Sequence, residues 1–435
     1  VVEQQPDNLA AQTGLAEVQL RRGEIDDALA RLEALVAEYP QNPSLRLNLA
    51  KAELQAGRKL QAEQRLQRIV ADEPRATGAR VALAEIHLSD GLPGQALAVL
   101  RAAEDQTAAP VRLVTAKAEL MAGRPAAAVA MLERLVDERP GSAQASLALA
   151  LAHERNAQDA RARQALERAL NIAPEDPGAR YALLRHLLLQ PQLPKDELDQ
   201  AVADAIAFSE AYPTGLRREV LRALVMFRLD DQRERALTLL AQIQQALPST
   251  ELASLLANLY TAVGRPEAAV EVLNQRVNTR PEDTYARLRL ARAQLAAGAF
   301  GPAADNLVLS LEQGARQEGL ALATAWALAK AGRPADARGY LNQAEAEGAA
   351  GALLLHTQGL LRLSDGDARG AVTSLQGAVD GTVGAPPVQL RLDLAQALAA
   401  AGKRAPALQA LAGLRDEELS EAERTRRDTL AARLR

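Results

Sequence analysis

A spacing of 34 residues governs this chain. Glycines recur at that interval in two parts of the sequence, at Gly23, Gly57 and Gly91 and again at Gly298, Gly332 and Gly366. A constant step of this length indicates a repeat protein, in which each unit is one supersecondary element stacked on the next. In such a protein a ligand is expected to bind along the surface of the stack rather than in a single active site.

Three further positions repeat around each glycine. A small residue lies seven positions before it, an alanine five positions after it and a leucine nine positions after it, as with Ala16, Ala28 and Leu32 around Gly23. Small residues on two helices let the backbones approach closely, and the leucine fills the space between them. Glycine ends the first helix in a left-handed conformation, and a proline such as Pro74 ends the second. Each unit is therefore predicted to be a helical hairpin.

These features resemble the tetratricopeptide repeat, and the resemblance covers nearly the whole chain. The same pattern surrounds Gly123, Ala157, Gly264 and Gly402, and a divergent unit surrounds Asp231. With one distorted unit before Asp231, the repeats number twelve. The resemblance implies an all-α fold, namely a right-handed α-solenoid of about twelve helix-turn-helix repeats. Aromatic residues usual in the family are mostly absent here, and aliphatic residues take their places.

One interval departs from the regular spacing. Pro174 and Pro213 are 39 residues apart, and between them Pro191 and Pro194 exclude a continuous helix and predict a lengthened turn. The chain is accordingly divided into an amino-terminal block, 1–174, a divergent repeat with a proline-rich turn, 175–213, and a carboxy-terminal block, 214–415. The charged residues 416–435 are predicted to form a helix that caps the array or begins a further repeat. Residues 1–6 resemble the end of a second helix, which favours a segment cut from a longer array.

Composition and motifs argue against catalysis. The chain has no cysteine, which excludes disulfides, thiolate metal sites and cysteine nucleophiles, and it lacks the glycine-rich phosphate loops and the His-Glu-x-x-His motif. Its four histidines fall in different repeats, where surface or groove positions are expected for them. The sequence therefore predicts a protein that is not an enzyme and that holds neither a cofactor nor a metal.

Charge and hydropathy limit the classes of partner. The net charge of −4 is close to neutral for 435 residues, so bulk charge does not favour binding to nucleic acid. No apolar stretch reaches the roughly 18 residues of a membrane-spanning helix. We expect a protein or peptide partner, with a polysaccharide as the alternative, and neither nucleic acid nor membrane insertion by this segment.

The style of the array indicates a cellular setting. Its alanine-, leucine- and arginine-rich, aromatic-poor sequence resembles large bacterial tetratricopeptide-repeat proteins of envelope and exopolysaccharide systems, above all the lipoproteins encoded with PEP-CTERM/exosortase machinery. That resemblance implies a periplasmic scaffold in an assembly or export system, with a lipid anchor on an upstream segment as one arrangement. A cytoplasmic bacterial scaffold is the alternative setting.

Basic and aromatic side chains occupy the groove-facing positions of several first helices. In the family these positions line the concave surface, and in the units around Asp231, Gly264, Gly298 and Gly332 the single acidic residue among them is Glu251. Guanidinium groups bind carboxylates in pairs of hydrogen bonds, and aromatic rings stack on sugars or side chains, so an acidic peptide or anionic polymer is the expected ligand. The predicted groove residues are Arg218, Arg222, Arg228, Asn258, Tyr285, Arg289, Arg292, Trp326 and Lys330.

Overall fold

The computed structural model of the chain describes residues 8–73 and 75–435. Those residues form α-helices and two short 3₁₀ segments, Asp230–Gln232 and Asp416–Glu418, and contain no β-strand. In chain order the helices are α1 (Leu9–Arg22), α2 (Ile25–Glu38), α3 (Pro43–Gln55), α4 (Lys59–Asp72), α5 (Thr77–Ser89), α6 (Pro93–Arg101), α7 (Ala109–Met121), α8 (Pro125–Glu138), α9 (Ala143–Arg155), α10 (Asp159–Ile172), α11 (Pro177–Leu189), α12 (Lys195–Ala211), α13 (Leu216–Arg228), α14 (Arg233–Ala246), α15 (Thr250–Ala262), α16 (Pro266–Thr279), α17 (Thr284–Ala296), α18 (Phe300–Glu312), α19 (Leu320–Lys330), α20 (Pro334–Ala346), α21 (Ala352–Ser364), α22 (Ala368–Asp380), α23 (Val388–Ala400), α24 (Arg404–Ala412) and α25 (Glu421–Leu434).

Successive helices form hairpins. Within the described residues, the odd-numbered helices from α1 to α23 are the first helices of twelve hairpins, the even-numbered ones are the second helices, and α25 follows the last hairpin. The all-α helical-repeat solenoid predicted from the sequence is confirmed. Its right-handed twist stays a prediction. Pro74 and residues 1–6, to which the sequence assigns the ends of second helices, lie outside the described residues.

A left-handed residue ends the first helix of most hairpins. Gly23 has a φ of 78°, and the N–H of Glu24 donates to the carbonyl of Gln19 at 2.9 Å, which is the Schellman arrangement. Ala157 takes the same place in the fifth hairpin with a φ of 56°, and among the described residues it is the single non-glycine with positive φ. Between α13 and α14 the 3₁₀ segment Asp230–Gln232 replaces the glycine turn.

The seam between the two helices of a hairpin is closely packed. Ala291 and Ala303 are fully buried in the ninth hairpin, and Leu307 belongs to the same core cluster as Ala291. In the eleventh hairpin Gly359 replaces the first alanine, and a Cβ there would lie 2.5 Å from Cγ of Leu375. The small residues thus lie where a leucine of the second helix packs closely against the first helix.

Backbone contacts divide the chain into two units. The first runs to Leu256 and includes Gln275–Tyr285, and the second comprises Ala257–Asn274 and Ala286–Arg435. The block boundaries at residues 174 and 213 remain a prediction. Between them, α11 and α12 are joined by a turn at residues 190–194, and α12 has 17 residues where most helices have 13 or 14. At the carboxy-terminal end, Ser420 and Glu423 form a capping box that starts α25.

Candidate functional site

The second unit contains a groove of about 810 Å³. Most of the side chains that border it project from α17, α19, α21, α23 and α25, so the surface is formed by successive odd-numbered helices. We call it the first-helix groove. Its volume falls in the range of sites that hold a small molecule or a short chain segment. The bordering side chains used below are Glu267, Phe300, Trp326, Lys330, Leu360, Leu363, Gln389, Asp393, Gln396, Glu423 and Arg426.

Aromatic rings meet on one side of the groove. The ring of Trp326 stands edge-on to Phe300 with 5.5 Å between centroids and lies 5.9 Å from the imidazole of His356. Its indole N–H donates a hydrogen bond of 3.3 Å to Nδ1 of His356. Such edge-on pairs favour one orientation of the rings. The only tryptophan of the chain is therefore fixed in place and partly open to the groove.

Asp393 is the centre of a buried ionic cluster. Its carboxylate accepts hydrogen bonds from Nζ of Lys330 at 3.1 Å on both oxygens and from Nη2 of Arg426 at 2.6 Å. His356 Nε2 lies 2.7 Å from the same carboxylate. These donors come from α19, α21 and α25, so one carboxylate on α23 connects three first helices with the carboxy-terminal helix α25.

The contacts of His356 assign its tautomer. Nδ1 accepts the indole hydrogen of Trp326, so the ring hydrogen is on Nε2 and is donated to Asp393. A second hydrogen on Nδ1 would face the indole N–H and break that bond. The two nitrogens of this imidazole therefore link Asp393 to Trp326.

Burial and neighbouring charges act in opposite directions on the Asp393 carboxyl. Burial raises its pKa, but the His356 hydrogen bond and the charges of Lys330 and Arg426 outweigh burial and bring the pKa to about 2. Burial lowers the pKa of the Lys330 ammonium, and the Asp393 charge offsets this only in part, since Arg426 is also near. The Asp393 carboxyl is thus ionised at neutral pH, and Lys330 and Arg426 lie beside its negative charge.

Amide side chains continue the cluster along the groove. Gln389 accepts a hydrogen bond from Lys330 at 2.8 Å and donates one to Glu423 at 2.6 Å. Gln396 accepts from Nη2 of Arg426 at 2.6 Å and is exposed. Lys330 also lies 5.1 Å from the centre of the Phe300 ring, within reach of a cation–π interaction.

Of the predicted groove residues in the second unit, Trp326 and Lys330 border the first-helix groove. Asn258 and Arg292 are exposed on α15 and α17 but do not border it. Arg289 is half-buried, and its Nε is buried without a hydrogen-bond partner in the described structure. The structure thus joins two of these five predicted residues in one surface.

The predicted groove residues of the first unit have partners of their own. Arg218 bonds to Glu219, and a more exposed Arg222 lies 3.8 Å from the same carboxylate. Arg228 donates to the carbonyl of Gln190 at 3.2 Å. The sequence register identified Glu251 as the one opposing acid, whereas the structure adds Glu219 here and Asp393 in the second unit.

The ring of Tyr285 is covered by an arginine. The guanidinium carbon of Arg155 lies 3.6 Å from the centre of the ring, and Nη2 of Arg155 bonds to Glu251 at 3.3 Å. Tyr285 and Glu251, which the sequence placed on an open groove surface, are therefore engaged with a residue of α9.

The expectation for the histidines was wrong. All four, His87, His153, His186 and His356, are buried. His186 Nδ1 lies 3.1 Å from Glu154, whose other oxygen accepts from Arg185 at 2.6 Å. Burial raises the pKa of Glu154, but the His186 bond and the Arg185 charge outweigh it and lower the pKa overall.

Asp393 was not among the residues predicted from the sequence, although the repeat register contains a signal for it. Asp393 stands nine residues before Gly402, the offset that Arg289 has from Gly298 and that Arg222 has from Asp231. Extending the register to the last hairpin would have placed an acidic residue at the repeat position that Arg222 and Arg289 occupy in their hairpins. Nothing in the register, however, identifies His356 or Arg426 as its partners.

The described residues, 8–73 and 75–435, contain neither a cluster of metal-binding side chains nor a membrane-spanning helix. No group of three or more histidine, aspartate or glutamate residues in that part of the chain is arranged to hold a metal ion. None of the described helices combines the length and the apolar character needed to cross a bilayer.

Comparisons with known proteins agree with the hairpin architecture. One tetratricopeptide-repeat family model matches residues 19–77 and 119–188, and a second matches residues 250–293. No curated protein matches the chain by sequence.

Three solved structures to which the chain is similar are as follows. A thermophilic tetratricopeptide-repeat protein of Thermus thermophilus is 26% identical over 41% of this chain and 99% of its own, with a TM-score of 0.39. The Cut9–Hcn1 hetero-tetramer of the APC/C is 14% identical over 86% and 87% of the two chains, with a TM-score of 0.34. Yeast Tom70 is 14% identical over 99% and 96%, also with a TM-score of 0.34. The chain thus contains tetratricopeptide repeats within an all-helical array, a scaffold architecture typical of protein–protein interaction.

Proposed function

We propose that this chain is a non-catalytic scaffold that binds a protein partner along the first-helix groove. The observation that carries the proposal is the groove itself, in which side chains from four successive first helices and from α25 border one continuous surface. Apolar side chains such as Trp326 and Leu360 alternate there with amides such as Gln396. A surface of this kind accepts an extended segment, with apolar contacts for side chains and amides for its backbone.

The acid–base groups of the groove favour binding over chemistry. A general base needs a pKa near the working pH and a free lone pair directed at its substrate. Asp393 has a pKa of about 2, and its oxygens already accept bonds from three side chains. Its role is to hold helices together rather than to accept a proton.

Filling the groove tests the proposal. Peptides are selected on the complete chain from a phage-displayed library of random 12-residue sequences, and binding to wild type is compared with binding to Gln396→Trp, which adds bulk at the groove surface. Gln376→Trp is the matched control, since Gln376 is also an exposed glutamine of the second unit but lies on the second helix α22. We expect Gln396→Trp to weaken binding at least tenfold and Gln376→Trp to leave it unchanged. The reverse ranking would place the binding surface on the second helices.

We further propose the setting expected from the sequence, a bacterial exopolysaccharide or PEP-CTERM envelope assembly in which this scaffold is periplasmic. Its support is the aromatic-poor, alanine- and leucine-rich style of the repeats. Fractionation of the cells that make the protein, followed by detection with an antibody against this chain, tests the compartment. Recovery with cytoplasmic markers would replace this setting by the cytoplasmic scaffold.

A further inference from the structure

Anionic side chains outnumber cationic ones at the border of the first-helix groove. Two cationic side chains, Lys330 and Arg426, and three anionic ones, Glu267, Asp393 and Glu423, border it. Both cations are bonded to Asp393. The groove therefore offers an incoming ligand no excess of positive charge.

Of the two cations, Lys330 is nearly inaccessible, whereas the Arg426 side chain is 34% exposed but bonded to Asp393. The Lys330 side chain is 6% exposed and that of Asp393 is 1% exposed. An anionic group that drew Lys330 or Arg426 away would leave the Asp393 carboxylate buried without its partners. Separating a buried ion pair in this way is strongly unfavourable. Anionic ligands are thus opposed by the interior of the groove as well as by its net charge.

Besides the exposed Glu267 and the partly exposed Arg426, the accessible part of the surface consists of apolar side chains and neutral polar groups. Leu360 and Leu363 of α21 are half-buried at the groove near the partly open face of Trp326. Ser364 and Gln396 are exposed on the first helices α21 and α23. An apolar side chain gains most by leaving water against such a surface, while hydroxyl and amide groups can pair with a peptide backbone.

We infer that the first-helix groove takes an extended polypeptide segment anchored by an uncharged, apolar side chain, rather than an acidic peptide or an anionic polymer. This inference rests on the proposed function and specifies its partner class. It differs from the ligand that the arginine-rich register of the sequence predicts, because the structure neutralises the cations that border this groove.

The peptide selection described above tests the inference through composition and salt dependence. Selected groove-dependent peptides should be enriched in leucine, isoleucine, phenylalanine or tryptophan and not in aspartate or glutamate. Their dissociation constants, followed by the emission of Trp326, should change by less than about threefold between 50 and 500 mM NaCl, because few exposed charges are involved. Groove-dependent binders enriched in acidic residues, with affinity lost at high salt, would overturn the inference while leaving the proposed function intact.

A probe of the other class completes the test. Polygalacturonate, an anionic polysaccharide, should not bind the wild-type chain at 50 mM NaCl in titration calorimetry, and saturable binding that Gln396→Trp abolishes would overturn the inference. If instead no selected peptide depends on Gln396, the proposed function itself fails. The two failures are therefore distinguishable.

A charge-altering variant provides an independent readout. Asp393→Asn removes the charge that neutralises Lys330 and Arg426. The affinity of this variant for acidic peptides, relative to its affinity for apolar peptides, should rise at least tenfold over wild type. Asp365→Asn, which alters an exposed aspartate paired with Arg338, should leave this ratio unchanged. No shift in a folded Asp393→Asn variant would show that Asp393 does not set the ligand class. If that variant fails to fold, the composition of the wild-type selection still decides the question.

Discussion

Arg155 lies with its guanidinium carbon 3.6 Å from the centre of the Tyr285 ring, although 130 residues separate them in the sequence. Stacking of neighbouring hairpins does not produce a contact of this range, since each repeat touches only those beside it. Arg280 likewise bonds to the carbonyl of Ser89. Within the first unit, side chains of Gln275–Tyr285 thus connect to hairpins far earlier in the chain.

Removing this contact should loosen the first unit. Arg155→Ala loses the cation–π interaction with Tyr285 and the pair with Glu251, and we expect a cost of about 1–2 kcal/mol together with faster amide exchange in residues 275–285. Hydrogen exchange measured by mass spectrometry and urea unfolding check this. Arg161→Ala, at an exposed arginine 3.8 Å from Glu133, is the control and should be neutral within about 0.5 kcal/mol. Equal effects of the two variants would count against the long-range contact.

Ala157 is predicted to be a site of stabilisation. A left-handed alanine costs about 1–2 kcal/mol, and Ala157 is exposed, so Ala157→Gly should raise the free energy of unfolding by about 1 kcal/mol. Ala56→Gly is the control, because Ala56 has a φ of −76° and gains nothing from glycine. It should destabilise by about 0.5–1 kcal/mol. A lower melting midpoint for Ala157→Gly than for wild type would contradict the proposed backbone strain at Ala157.

The seam should respond to volume in both directions. Ala303→Leu is expected to overpack the ninth hairpin at a cost of about 1–3 kcal/mol, and Leu307→Ala to leave a cavity at a cost of about 2–5 kcal/mol. Asp305→Asn, at an exposed residue of the same helix, should be nearly neutral. Denaturant unfolding ranks the three variants. If Ala303→Leu leaves the free energy of unfolding unchanged, the two helices do not cross closely at Ala303.

Acid should weaken the cluster around Asp393. The carboxyl has a pKa of about 2 in the folded chain against the usual 3.8, so the unfolded chain binds a proton more readily and its population rises as pH falls between these values. The contribution, about 2 kcal/mol, is fully present above about pH 4 and is lost towards pH 2. The stability difference between wild type and Asp393→Asn should therefore be largest near pH 7 and shrink below pH 4.

Thermal melts of both proteins across that range, with Trp326 emission as the local signal, test this dependence. Asp365→Asn provides the comparison, since its exposed partner Arg338 gives little stabilisation at any pH. A difference between wild type and Asp393→Asn that stays constant from pH 7 to pH 2 would exclude a titrating Asp393.

The hairpins and their seams followed from the sequence because they depend on contacts at fixed separations. A glycine, two small residues and a leucine recur with constant offsets, and helix geometry alone then places Ala303 against the partner helix and gives Gly332 its positive φ. Even the exception at Ala157 was visible in the register. Twelve hairpins could be counted without coordinates for the same reason.

The electrostatic character of the candidate site was decided by tertiary structure. Register positions predicted that Trp326 and Lys330 face the groove, but whether Lys330 is available depends on which carboxylate lies within a few ångströms of its ammonium. Asp393, His356 and Arg426 come from three other helices, and their meeting depends on side-chain conformation and on the rotation between hairpins. Charge interactions fall off with distance and with exposure to water, so a shift of a few ångströms changes a free cation into a neutralised one. The sequence determined that this chain is a stack of helical hairpins, and only the packing of those hairpins determined that the cations bordering its groove are already paired.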